Sequence, residues 1–283
     1  MMSRRPQRIP REGVARHAAH APQTLLHHSP SAQAAGQDPH CVLLYRDAAH
    51  LEPAIGGWAE AGLRAGEGVV LVVREATAEG VRSWLRQAGL DPAGFEAVGR
   101  LRILDADRTL SLFMVHGAPQ ANLFANAVTP LIEDARKASP AGEVRAWGEM
   151  VDLLWKRAQG PAAVALEELW NGLIAQKGFR LFCAYQVDAF DALQFPKVRA
   201  IAASHGLLLP VDDGPRFEAA VEAALEETYG PEAAAVRAVL GTGAGPRMPL
   251  SLHRLLTLHE LAPEFAALVA ARAGLRYDGR GPA

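Results

Sequence analysis

Glu143-Val144-Arg145-Ala146-Trp147-Gly148-Glu149-Met150-Val151-Asp152-Leu153-Leu154-Trp155 is the stretch that decides the fold. Glu143 to Trp147 reads as a short strand, Gly148 breaks it, and Met150 to Trp155 starts a helix. A strand that runs through one turn into a helix is half of a βαβ unit, the building block of a parallel sheet. The acid on that turn, Glu149, admits two readings. In an open α/β sheet ligands bind beyond the carboxyl ends of the strands, so Glu149 could belong to a site. Acids also favour helix N-termini through backbone N–H bonds and the helix dipole, so it could be an N-cap.

The same alternation extends in both directions. Upstream, Cys41 to Tyr45 is an apolar strand, Leu51 to Leu63 a helix with apolar spacing near 3.6, and Val69 to Val73 a strand apolar enough to be covered on both faces. Thr77 is expected to cap a helix that runs to Gln87 and stops at Gly89. Leu101 to Leu104 is a third strand, and a longer helix lies within Pro119 to Lys137. Downstream come helices around 150–158 and 162–176, a strand Phe179 to Tyr185, a helix Phe195 to Ser204 and a short strand Gly206 to Leu209. The fold class expected is α/β, a mainly parallel sheet with helices on both faces and right-handed crossovers. After Asp212 the alternation gives way to four helices, Arg216–Tyr229, Pro231–Leu240, Leu250–His259 and Pro263–Ala273, with Gly241 to Pro249 as a joint. The domain organisation expected is a disordered basic arm over 1–38, an α/β domain over 39–211 and a helical C-terminal module over 212–283.

Bulk numbers narrow the function. The 283 residues carry a formal net charge of -2, and 49% are hydrophobic, enough for a substantial core. That charge balance argues against nucleic acid or a membrane surface as a direct partner. No run approaches a membrane span, and the arginines of the first 16 residues precede no apolar stretch, so a cytoplasmic location is expected. Two cysteines, Cys41 and Cys183, build no disulfide framework. No helix pair carries an exposed basic recognition face.

Several pieces in this order resemble a known family: His40-Cys41-Val42-Leu43-Leu44-Tyr45, then Gly62-Leu63-Arg64-Ala65-Gly66-Glu67, then Arg145-Ala146-Trp147-Gly148-Glu149-Met150, Leu166-Glu167-Glu168-Leu169-Trp170-Asn171 and Leu181-Phe182-Cys183-Ala184-Tyr185. The set looks like the MEDS domain, the methanogen/methylotroph sensory domain also found in the dichloromethane-responsive repressor. The resemblance runs from about residue 40 to 210. It implies a RecA/KaiC-like α/β domain that senses small molecules, simple hydrocarbon derivatives among them, and that is coupled to a histidine kinase or a DNA-binding output. The region after 210 is too short for a kinase, so output is expected to pass through a partner.

A working RecA/KaiC-type ATPase needs glycines and a lysine between its first strand and helix to wrap and neutralise phosphates. Here that junction is Tyr45-Arg46-Asp47-Ala48-Ala49-His50, with neither. Gly241-Thr242-Gly243-Ala244-Gly245 follows no strand and reads as a linker. No Ser/His/Asp order or nucleophile elbow is present, so no catalytic residue and no enzyme activity are expected. Asp105 and Asp107 are close in sequence with nothing to set them across a substrate.

The candidate ligand-binding residues are His40, Tyr45, Arg145, Trp147, Glu149 and Tyr185. Against each stands an ordinary role: a strand-edge histidine for His40, core packing for the aromatics, and a helix cap for Glu149. Glu167 and Glu168 share a helix, where one is expected to face solvent. His40 and Cys41 are neighbours on a strand, so they point to opposite faces and cannot share a metal. Cys41, Cys183, His116 and His205 fit no metal-ligand spacing, and Cys183 is expected in the core; neither a metal nor a cofactor is expected. The arm histidines His17, His20, His27 and His28 read as a solvated tail. The reading is a small-molecule sensory and signal-transduction protein with the ligand at the carboxyl ends of the strands. Its expected partners are a small-molecule ligand and a protein such as a histidine kinase or transcription regulator, with homo-oligomerisation left open. The alternatives are a residual nucleotide-binding ATPase-like enzyme and a ligand-free interaction scaffold.

Overall fold

The structure is a computed structural model, and it describes residues 38–46, 48–211, 213–241 and 248–280. The expected N-terminal arm and most of the Gly241–Pro249 joint lie outside those residues.

Six parallel strands form one sheet in the order β3-β2-β6-β7-β1-β8: β1 (His40–Tyr45), β2 (Gly68–Val73), β3 (Leu101–Asp105), β6 (Val144–Gly148), β7 (Arg180–Gln186) and β8 (Leu207–Leu209). β1 and β2 are buried at every residue, as their unbroken apolar runs require. A two-stranded antiparallel ribbon, β4 (Met114–Val115) and β5 (Ala118–Pro119), lies outside the sheet and was not foreseen.

Alternate residues of each strand feed two separate cores. Cys41, Leu43 and Tyr45 join Leu51, Ile55 and Trp58 of α1 (Ala48–Arg64) and Val81 and Leu85 of α2 (Glu75–Gln87). Val42 and Leu44 face the opposite core, built with α5 (Ala121–Ala138), α6 (Met150–Lys156), α7 (Gly160–Lys177) and α8 (Phe195–Ser204). Two short helices, α3 (Pro92–Ala97) and α4 (Ala106–Ser111), complete this part, and neither was expected. Helices after β1 and β2 carry the chain towards β3 on one face, and those after β3, β6 and β7 carry it towards β8 on the other. That division is what right-handed crossovers demand. It also parts the chain in opposite directions beyond neighbouring strands β2 and β6, and again beyond β1 and β7.

The four C-terminal helices are α9 (Gly214–Tyr229), α10 (Ala233–Val239), α11 (Leu250–Leu261) and α12 (Pro263–Tyr277). Phe217, Leu252, Leu255, Val269 and Tyr277 share the core that covers the α5–α8 face of the sheet. Among the described residues no helix is long and apolar enough to cross a membrane.

One local expectation is corrected, and of the two readings of Glu149 the side-chain cap is not formed. Thr77 is not an N-cap: α2 begins at Glu75, and the Thr77 hydroxyl donates to Glu149 Oε1 at 3.3 Å. Glu149 does occupy the position before α6, yet its carboxylate makes no bond to that helix. It crosses instead to the start of α2, where the Arg74 N–H donates to Oε2 at 2.7 Å.

Candidate functional site

Glu149 anchors a polar network beyond the carboxyl ends of β1, β2 and β6. Arg74, the first residue after β2, donates from Nη2 to Glu149 Oε1 at 2.8 Å and to the Tyr45 hydroxyl at 3.3 Å. Tyr45, the last residue of β1, donates its hydroxyl proton to Asp152 Oδ2 at 2.7 Å. Asp152 also accepts the Gln186 N–H at 2.9 Å, which ties in β7, and pairs with Lys156 one turn along α6 at 2.7 Å. Glu149 and Asp152 are each 1% exposed, whereas the side chains of Arg74 and Lys156 are 32% and 34% exposed. The acids are therefore the dry floor of this end and the cations its wet rim. Burial pushes the Tyr45 phenol well above its ordinary pKa, and Asp152 adds to that, so Tyr45 is a committed donor. For Arg74, burial would lower the pKa, but the bond to Glu149 outweighs it and the guanidinium stays charged. Beside the network, an open cleft of about 210 Å³ lies between the ends of β2 and β3, lined by Val73, Arg82, Ile103, Asp105 and Arg108 among others.

The predicted residues divide into separate places. Tyr45 and Glu149 meet through Arg74. Arg145 lies at the opposite, amino end of the sheet. Its Nε donates to Glu67 Oε2 at 2.5 Å, and its guanidinium lies 4.4 Å from the Trp58 ring centre. Gly62 makes room for it, since a Cβ there would come within 2.5 Å of Arg145 Cδ. Trp147 is packed in the core against Phe182, 4.7 Å between ring centres, away from either end's polar groups. His40 and Tyr185 face the other core, where both reach Glu167.

That second meeting point is a buried donor cluster: His40, Glu167, Cys183 and His205, with the four candidate ligand atoms all within 4.8 Å of one another. The residues are 3%, 1%, 0% and 1% exposed. β1 supplies His40, β7 supplies Cys183, α7 supplies Glu167, and the turn from α8 into β8 supplies His205. Tyr185 donates to Glu167 Oε1 at 2.7 Å. Burial would raise the Glu167 pKa, but the imidazoles, His205 foremost, hold it well below the usual carboxylate range. Burial and Glu167 together push the Cys183 thiol and the Tyr185 phenol up. Glu168, the neighbouring acid, is exposed.

The spacing argument against a metal is thereby corrected in its geometry. Cys183 and His205 do converge, with His40 and Glu167, because β1 lies between β7 and β8: Cys183 is opposite Val42, on the same face as His40 two residues back, and His205 stands just before β8. Cys41 points into the opposite core and His116 lies in the β4–β5 turn, so those two remain apart. Arg74, Asp152 and Lys156 were missed altogether. The Asp152/Lys156 pair at helical spacing was the available signal.

This is a doubly wound parallel α/β domain, an architecture whose ligands bind beyond the strand carboxyl ends. The sequence profile of the MEDS family, described as the methanogen/methylotroph, DcmR sensory domain, matches residues 39–205. That is more than half of the chain, and the chain belongs to the MEDS family. No significant match was found among curated proteins or among solved structures.

Proposed function

We propose that this chain is a small-molecule sensor whose ligand binds at the carboxyl end of the sheet, over Tyr45, Arg74, Glu149, Asp152 and Lys156. The observation that carries this reading is the network itself: two buried acids and a buried phenol at the point where adjacent crossovers part, rimmed by two accessible cations. Membership of a sensory family supports the role. Balanced charge at this end, two acids against two cations, favours a small polar or neutral organic molecule, of the simple hydrocarbon-derivative class, over a phosphate. The missing glycines and lysine after β1 point the same way, so the reading is of a RecA/KaiC-related binding domain without ATPase chemistry.

Output would run through the C-terminal helices to a partner such as a histidine kinase or transcription regulator. Arg46, one residue beyond Tyr45, donates from both terminal nitrogens to Asp278 just after α12, at 3.2 and 2.5 Å. Ligand contact at Tyr45 is thus one peptide away from the joint with the helices. A ligand moves such an equilibrium only through different affinities for its two states.

Native mass spectrometry of the freshly purified chain tests the reading, followed by thermal shift with short alcohols and halogenated methanes. A retained organic mass, and a thermal shift lost in Glu149→Gln and Tyr45→Phe, support it. A shift unchanged in both variants sinks the placement. Phosphate release from ATP that disappears in Glu149→Gln would favour an enzyme instead.

A further inference from the structure

The cluster of His40, Glu167, Cys183 and His205 has the geometry of a metal centre. Each histidine is fixed by its outer nitrogen. Asn171 donates from Nδ2 to the Ser204 carbonyl at 2.9 Å, which turns its Oδ1 towards His40 Nδ1 at 2.8 Å. Only a protonated Nδ1 satisfies that acceptor, so in the neutral ring the inner nitrogen, Nε2, presents a lone pair. His205 Nδ1 lies 2.7 Å from the Ile201 carbonyl, an acceptor again, and its Nε2 is turned into the cluster, 3.3 Å from Glu167 Oε1. A ring N–H held outward by a carbonyl-type oxygen, with the other nitrogen facing inward, is how metal-binding histidines are orientated.

The carboxylate is arranged in the same manner. Glu167 Oε1 is occupied by the Tyr185 hydroxyl, and Oε2 faces His40 Nε2 at 3.3 Å and Cys183 Sγ at 3.7 Å. Cys183 Sγ lies 3.6 Å from His40 Nε2. Tetrahedral zinc, with bonds of about 2.0–2.2 Å to nitrogen and oxygen and about 2.3 Å to sulfur, implies edges of roughly 3.4 Å between nitrogen and oxygen and roughly 3.6 Å to sulfur. The three edges among His40, Glu167 and Cys183 match those values, and His205 Nε2 completes the group, within 4.8 Å of the other donors and 3.3 Å from the second carboxylate oxygen, Glu167 Oε1.

We propose that His40 Nε2, Glu167 Oε2, Cys183 Sγ and His205 Nε2 form a closed, four-coordinate site for a zinc-type divalent cation. Two neutral imidazoles, a carboxylate and a thiolate carry two negative charges, which a divalent ion cancels among residues buried from solvent. Binding would release the Cys183 thiol proton. The mixed nitrogen, oxygen and sulfur donors suit zinc, and cobalt as its spectroscopic substitute, far better than magnesium or calcium. The ion would tie β1, β7, α7 and the α8–β8 turn together. Asn171 and Tyr185 are positioning residues for it.

The test is elemental analysis of the full chain purified without chelator, then exchange into cobalt(II). About one zinc per chain is expected, and cobalt should give visible ligand-field bands with a near-ultraviolet thiolate charge-transfer band. Cys183→Ser should remove the charge-transfer band and Cys41→Ser should keep it, which separates this site from adventitious binding by the arm histidines. Asn171→Ala should weaken cobalt binding roughly 10–100-fold, the usual effect of losing an orientating partner. A natively folded chain with no zinc and no cobalt spectrum overturns the proposal. So does a charge-transfer band that survives in Cys183→Ser. Should Cys183→Ser fail to fold, X-ray absorption at the zinc edge of the native chain reads the same ligand: one sulfur at about 2.3 Å is expected, and a shell of nitrogen and oxygen alone overturns the site.

Discussion

Arg46 and Asp278 close a two-point ion pair between the carboxyl end of the first strand, β1, and the end of the last helix. The Arg46 guanidinium also lies within 5.6 Å and 5.7 Å of the Phe190 and Tyr277 ring centres, so one side chain pins the C-terminal helices to the sheet.

The pair should show in acid. The bond from Arg46 lowers the Asp278 pKa to about 2. A carboxyl depressed in the folded state adds stability above its unfolded pKa of about 3.9 and loses it as pH falls towards the folded value. The contribution of Asp278 should therefore be full at pH 5 and fade between about pH 4 and 2. Urea unfolding across that window should show a shallower loss in Asp278→Asn than in the parent chain. Equal slopes would mean that the pair does not form in solution.

Glu149→Gln should cost stability as well as ligand response. A glutamine can still accept the Arg74 N–H, but its amide group would face the guanidinium, so the half-buried Arg74 charge loses its partner. Full burial of such a pair would make the loss about 3–5 kcal/mol. Arg74 is partly solvated, which brings the expectation to about 1–3 kcal/mol, read from the urea midpoint at constant slope.

Arg145 separates a stabilising role from a binding one. Arg145→Met strands Glu67 at the amino end of the sheet, although Arg180 still reaches it. A loss of about 2–4 kcal/mol is expected. Any thermal shift produced by a ligand should survive, because Arg145 is at the far end from Tyr45 and Glu149. A ligand response abolished in a folded Arg145→Met would move the site to the amino end.

Both thiols should be silent in the native chain. Burial pushes the Cys41 thiol up to about 12, and Cys183 is wholly buried, out of a reagent's reach both as a thiol and as a metal-bound thiolate. Only the thiolate reacts with Ellman's reagent, so at pH 8 neither cysteine should react until the chain unfolds, when two equivalents appear. A fast native equivalent would contradict the packing around these strands.

The architecture was legible because apolar runs such as Val69–Val73 and the 3.6 spacing over Leu51–Leu63 are local signals. So was the break at Gly148. Short elements escaped: α4 is set by the Asp105 carboxylate accepting the Arg108 N–H, a single turn with little periodicity to read. The sites were legible only in part. Glu149 and Tyr45 stand at strand ends, where a general rule marks them. Arg145 and Trp147 belong to the same motif but take their places from strand direction and pleat, which put one at the end opposite Tyr45 and Glu149 and the other in the core. The donor cluster was invisible for a different reason. His40, Glu167, Cys183 and His205 are separated by long stretches of chain, and only the strand order brings them together.

β1 is bonded on both sides, to β7 and to β8, and its alternate residues are shared between two cores. A slip of one residue would thrust Val42 and Leu44 into the space shaped for Cys41, Leu43 and Tyr45, and the reverse. The strand is in effect a locked bolt, with His40 at one end and Arg46 just past the other. Whatever news travels from the Tyr45 end must be carried by turning side chains and tilting helices around it, while the bolt itself stays still.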